Sequence, residues 1–155
     1  LKLGYVVGAT LAVLALTTVH HLYGAWRFDT PWRAHVAHIA VVFTALLLLA
    51  VQLVRSVRSP LWSRIGMGLL LFVSCGVAAL WLGAFEGTYN HVLKDALYVS
   101  GIAPERWRAL YPSSLYEPPG DWFFEFTGML QAPLGLLAGW WGWRWYSDST
   151  VASGD

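Results

Sequence analysis

Charge is scarce in this chain. Only 12% of its 155 residues are Asp, Glu, Lys or Arg, and ten basic against nine acidic side chains leave a formal net charge of +1. That balance gives no electrostatic footprint for nucleic acid, and there is neither a basic tract nor a glycine-rich phosphate-binding loop. Cysteine is nearly absent as well. Cys75 stands alone, so no intramolecular disulfide is possible, and its place inside an apolar run reads as that of a small packing residue. No segment repeats. The paired Glu-x-x-His motif of soluble di-iron bundles is also missing.

What remains is 57% hydrophobic and arranged in long runs. About 20 apolar residues, rising 1.5 Å each, cross a hydrocarbon core of about 30 Å. Four stretches meet that length: residues 3–23, 36–54, 65–85 and 122–146. The expected fold is therefore an all-α integral membrane protein, a single four-helix domain over residues 1–146. The fourth stretch is the most interrupted, with Glu125 near its start, Pro133 in its middle and Arg144 near its end. Residues 147–155 are small and polar and read as a disordered tail.

The short link 55–64 holds Arg55, Arg58 and Arg64 with no acid, and Lys2 falls on the same side. The positive-inside rule puts that side, with both termini, in the cytoplasm, as in a bacterial inner membrane. The first apolar run is long and lacks a small-residue cleavage site after it, so it reads as a retained helix and not a signal peptide. The opposite, periplasmic side then carries the long connection 86–121. Within it residues 90–100 read as a short amphipathic helix closed by Gly101, and Pro104 opens another that runs through Leu110. Gly87 is expected to end the third span and let the chain fold back, bringing His91 over the bundle mouth. A connection of this length usually serves as a lid or docking surface.

All five histidines, His20, His21, His35, His38 and His91, fall at this same side, together with Glu86 and Glu125. Ionisable groups at membrane depth are costly unless they face a cavity, a partner or a metal, so they mark a functional site by default. Small-residue stripes suggest which ones face inward. Gly128, Ala132, Gly135, Gly139 and Gly142 form such a stripe and Glu125 extends it; Cys75, Ala79, Gly83 and Gly87 form another, with Glu86 beside it. On the first span Gly4, Gly8, Ala12, Ala15 and Thr18 lead to His21, and His20 is turned from it by about 100°. His21 is therefore preferred. On the second, His38 shares a face with Ala45 and Gln52, and His35 lies one turn earlier.

His21, His38, Glu86 and Glu125, with His35, His91 and His20 near by, have the donor chemistry of a transition-metal site for Cu, Fe or Zn. Tyr89, Tyr23 and Thr18 are the expected outer-shell partners. Arg27 and Arg33 are assigned to neutralise Asp29, Glu117 or Asp121, and Asp29 and Thr30 to cap the second helix. The leading reading is a membrane-embedded metal protein for metal handling or metal-dependent oxidation. One alternative is a b-type haem held by His38 with His20 or His21. Another is an accessory subunit of a larger respiratory or photosynthetic assembly, with the ten tryptophans and glycine-rich faces packing against other membrane chains.

Overall fold

The computed structural model describes residues 2–56 and 59–151. It is 86% helical, with no strand among the described residues. Helix α1 spans Leu3–Arg27. A tight turn through Asp29, whose φ of 51° is tolerated better by Asp than by most side chains, leads to a 3-10 turn at Pro31–Arg33 and then to α2, Ala34–Ser56. The expected capping by Thr30 is not made, because its hydroxyl turns back to the Gly24 carbonyl. Arg58 lies outside the described residues.

The third helix, α3, is one 40-residue helix, Pro60–Val99. Its middle, Phe72–Leu93, is wound as a π-helix, with i→i+5 hydrogen bonding. Burial follows that winding: Val73 with Ser74, Val77 with Ala78, Leu82 with Gly83, Gly87, and Asn90 with His91 recur at steps of four or five. The expected break at Gly87 does not occur. A Cβ at Gly87 would stand 2.5 Å from the Ala132 backbone nitrogen, so this glycine serves close helix approach and not a turn. The helix ends at Gly101, which takes φ +73° while the Ile102 amide bonds to the Leu97 carbonyl and the Gly101 amide to that of Tyr98. Helix α4 covers Pro104–Leu110, and α5 covers Trp122–Val151. Asp121 caps α5, its Oδ1 accepting from the Phe124 amide at 3.0 Å. The stretch 147–151, expected to be a loose tail, continues this helix, and the Ser149 hydroxyl bonds back to the Trp145 carbonyl. Residues 152–155 of that tail lie outside the described residues.

Among the described residues, three helices are long and apolar enough to cross a membrane: Leu3–Arg27, Pro31–Arg55 and Pro60–Val99. Helix α5 is not among them, although it packs against both α1 and α3. Its contact with α3 is built on glycine. A Cβ at Gly135 would lie 2.6 Å from Gly83 Cα, at Gly139 2.7 Å from Ala79 Cβ, and at Gly142 2.5 Å from Ser74 Oγ. The fourth-helix stripe read from the sequence therefore faces α3, where removing Cβ atoms lets two backbones meet.

The stripe expected on α1 faces outward instead. Gly4 and Gly8 have open space where a Cβ would stand. The buried face is Val6, Thr10, Val13, Thr17, His20 and Gly24, at alternating steps of four and three. Larger side chains fill the core here because α1 packs through side chains, not through backbone contact. Away from the core, Val41, Val42, Leu48, Phe72, Leu80 and Leu136 are exposed. Exposed tryptophans flank this apolar zone, Trp26 and Trp122 towards one end and Trp62, Trp140 and Trp143 towards the other. An apolar exterior with aromatic ends suits a bilayer rather than water.

Candidate metal centre

Two consecutive histidines lie one turn before the end of the buried face of α1, and both are buried because His20 continues the Thr10, Val13, Thr17 stripe while His21 lies beside it. Across from them α3 presents Glu86, Asn90, His91 and Lys94, and α5 presents Glu125 and Thr127. The π-winding of α3 places Glu86 and His91, five residues apart, on the same face.

The three imidazoles converge on one oxygen. Glu86 Oε1 stands 3.7 Å from His20 Nε2, 3.5 Å from His21 Nε2 and 3.7 Å from His91 Nε2. These separations exceed a good hydrogen bond. They lie within about 0.1 Å of the edge of a coordination tetrahedron, since two ligand atoms about 2.0–2.2 Å from one ion stand about 3.3–3.6 Å apart. His20, Glu86 and His91 each offer a ligand atom within 4.8 Å of the other two. His21 stands at the margin of that set, near Glu86.

Tautomers assigned from the hydrogen-bond network support the same geometry. The Thr127 hydroxyl donates to the Phe123 carbonyl at 2.8 Å, so its oxygen accepts from His20 Nδ1–H at 3.0 Å. His91 Nδ1–H donates to Glu125 Oε2 at 2.7 Å. In both rings Nδ1 is thereby committed to a protein partner, and Nε2 is the nitrogen that faces Glu86. A buried carboxylate facing three imidazole nitrogens is stabilised by a proton or a metal cation held between them. His20 Nε2 is buried without a hydrogen-bond partner among the described residues.

The outer shell is well formed. Lys94 Nζ donates to both Glu125 oxygens, at 3.0 and 3.1 Å, and so anchors the carboxylate that orients His91. Glu86 Oε2 accepts from Asn90 Nδ2 at 2.6 Å, and Asn90 Oδ1 accepts from the Tyr116 hydroxyl at 3.0 Å. Burial, then the neighbouring Glu86 charge, raises the Tyr116 pKa and keeps this phenol a donor. Tyr111, buried beneath it, is pushed up to about 12, first by burial and then by Tyr89 and Tyr116, and donates to the Tyr89 carbonyl at 2.9 Å. On the other flank Arg33 Nη2 pairs with Glu117 at 2.6 Å, and Arg27 pairs with Asp121 at 2.8 Å.

Of the seven sequence-derived ligand candidates, the structure brings His20, His21, Glu86 and His91 together. It sets Glu125 behind His91 as an orienting group. His35 and His38 are not part of the cluster. Both are exposed, and each bonds through Nδ1 to a carbonyl of its own chain segment, Trp32 for His35 and Ala34 at 2.9 Å for His38. The seven-residue spacing that selected His38 falls on an outward face, while Ala37, Ala40 and Leu47 supply the inward one. The bis-imidazole pair that haem requires from His38 is accordingly not assembled. None of the expected outer-shell residues reaches the cluster. Tyr23 donates to Asp121, Thr18 bonds to the Leu14 carbonyl, and the Tyr89 ring stacks on Phe85.

Sequence reasoning ranked His20 below His21 because it followed small residues. The heptad-like stripe of Thr10, Val13 and Thr17 carried the better signal. Lys94, Asn90 and Thr127 were not singled out. Lys94 and Asn90 lie eight and four residues after Glu86, a spacing that pointed to a shared face. Comparison of the chain with protein-family models, with curated proteins and with solved structures finds no match in any of the three.

Proposed function

We propose that this protein is an integral membrane protein that binds a divalent transition-metal ion at one end of a four-helix bundle, for metal handling or metal-dependent chemistry. The carrying observation is the convergence of His20, His21 and His91 Nε2 on Glu86 Oε1, with the His20 and His91 rings held from outside through Nδ1 by Thr127 and Glu125. Metal-ligating histidines characteristically donate their other N–H to a carboxylate or another fixed acceptor, as here. His20, His91 and Glu86 form the ligand set, and His21 stands ready at a further position. Imidazole with one carboxylate suits Zn, Fe or Cu.

In this reading α5 is the fourth span, carried into the bilayer by its glycine contacts with α3, and the metal end faces away from the arginine-bearing link between α2 and α3. Helix α3 is twice the length that a bilayer requires, so its last turns, with Glu86, Asn90, His91 and Lys94, extend towards the polar boundary. The connection through α4 covers that end.

The test is elemental analysis of detergent-purified protein, as isolated and after reconstitution with Zn(II) or Co(II), beside a His20→Ala, His91→Ala variant. One ion per chain in the wild type, lost in the variant, with the visible bands of tetrahedral Co(II), is the expected result. A wild type that takes up no metal under these conditions overturns the proposal.

A further inference from the structure

The three imidazoles around Glu86 Oε1 are not held alike. His20 is clamped through Nδ1 by Thr127 at 3.0 Å, and its ring stacks on Phe124 with centroids 4.2 Å apart. His91 is clamped through Nδ1 by Glu125 at 2.7 Å. His21 has no such clamp. Its Nδ1 is buried with no hydrogen-bond partner among the described residues, and the ring contact it makes is edge-on to His20, with centroids 5.0 Å apart. A partner on the second nitrogen is what fixes the orientation of a ligating imidazole. His21 Nε2 is 3.5 Å from Glu86 Oε1, longer than a good hydrogen bond, so turning this ring breaks none.

The cluster also has a way in. A cavity of about 200 Å³ leads from Trp32 and Leu115, 48% and 52% exposed, down to His21, Glu86 and His91. His20 is fully buried and does not line it. At about 30 Å³ per water, the cavity has room for roughly six waters, enough for an ion that keeps its hydration shell. The two cationic side chains in its wall are matched, Arg33 by Glu117 at 2.6 Å and Lys94 by Glu125 at 3.0 Å. Glu86 is thereby the charge left to draw a cation inward.

Two positions for an ion follow, and they share Glu86 Oε1. The outer one lies at the cavity wall, between His21 Nε2 and that oxygen. The inner one is formed by His20, Glu86 and His91, whose ligand atoms all lie within 4.8 Å of one another, a set that does not take in His21. We infer that His21 is an exchange ligand: with Glu86 it takes a hydrated divalent ion from the cavity and passes it to the inner position, and the same path in reverse lets the ion leave. The ion is then cargo, not a permanent cofactor. The inference rests on the metal reading above and selects metal handling from its two forms. A charge left without partners in a buried site is costly, so an ion whose ligands must all let go together exchanges slowly. An oxygen common to both positions, with a mobile imidazole beside it, keeps the ion coordinated throughout.

The experiment uses the full chain in detergent with Co(II) as the probe, followed through its visible bands. Stopped-flow mixing gives the binding rate, release into excess EDTA gives the dissociation rate, and equilibrium titration gives the affinity. In His21→Ala both rates are expected to fall about tenfold or more, the effect of about 1.4 kcal/mol added to the barrier, with affinity unchanged within experimental error. Circular dichroism checks its helicity. If that variant does not fold, His21→Gln, which fills the position with a poorer ligand, carries the comparison and should show the same fall. A ring that only blocks the path predicts faster exchange in the alanine variant, and a permanent fourth ligand predicts faster release with weaker affinity. Either result, unchanged rates, or wild-type Co(II) that excess EDTA does not remove overturns the exchange role and leaves the inner metal site standing. A wild type that binds no Co(II) overturns both.

Discussion

His91 Nδ1 and Glu125 Oε2 stand 2.7 Å apart, and the same carboxylate accepts from Lys94 at 3.0 and 3.1 Å, so one helix holds the imidazole and its counter-charge while another supplies the acid between them. This chain of contacts fixes the orientation of the ring and gives its Nδ1 a carboxylate partner.

Replacing Glu125 with Gln keeps the shape and removes the charge. Its amide can also turn a donor towards His91 Nδ1 and favour the other tautomer. Loss of an outer-shell partner of this kind lowers metal affinity by about 10–100-fold. Competition against a chelator of known affinity measures it. Unchanged affinity in Glu125→Gln would mean that His91 is not oriented for a metal.

The two histidine pairs should separate cleanly. His20→Ala or His91→Ala removes a ligand and is expected to lower metal affinity by more than the roughly 10–100-fold of an outer-shell change. His35→Ala and His38→Ala should leave it within experimental error, because both rings are exposed and bonded locally. Metal lost in His38→Ala but retained in His20→Ala would contradict the assignment.

Gly128 lies directly beneath the His91 ring, and a Cβ there would overlap it. Gly128→Ala must move either the ring or α5, at a cost of about 1–3 kcal/mol typical of overpacking. A denaturation series should show lower stability together with weaker metal binding. Gly4→Ala on the open face of α1 should show neither, since nothing stands within 4 Å of its added methyl.

Asp121 provides the acid-sensitive contact. Burial alone would raise its pKa, but the Phe124 amide, the Tyr23 hydroxyl and Arg27 outweigh it and hold the carboxyl below its ordinary value. A depressed folded-state pKa favours folding above the unfolded value of about 3.9, and the contribution is lost as pH falls through the lower, folded one. Asp121→Ala should therefore cost about 1 kcal/mol near neutral pH, the usual worth of an N-cap. The gap to wild type should narrow as the pH drops below about 4. A gap that stays constant down to pH 2 would assign the cost to packing instead.

The reach of sequence reasoning differs from helix to helix. On α5 the glycine stripe led to the correct inward face, because Gly135, Gly139 and Gly142 have no other use on a helix than to admit a neighbour. On α1 the same reasoning failed, because Gly4 and Gly8 face outward and the core is filled by Val6, Val13 and Thr17. On α2 the seven-residue spacing of His38 matched a helical period without indicating which side of the helix meets the bundle. At Gly87 the sequence suggested a turn, and the structure uses the missing Cβ for contact with Ala132.

The sequence by itself determined that the chain is helical and apolar, and that its histidines and two of its glutamates collect towards one end. Composition and run length decide those properties, because each depends on what a segment exposes to its solvent. Which four of the seven candidates share a point was decided by tertiary structure. That outcome depends on the rotation of each helix about its own axis, on the π-winding that places Glu86 and His91 on one face, and on partners as distant in sequence as Thr127 is from His20. A periodicity carries the spacing of residues along one helix, but the direction in which that helix faces is fixed only when the others pack against it.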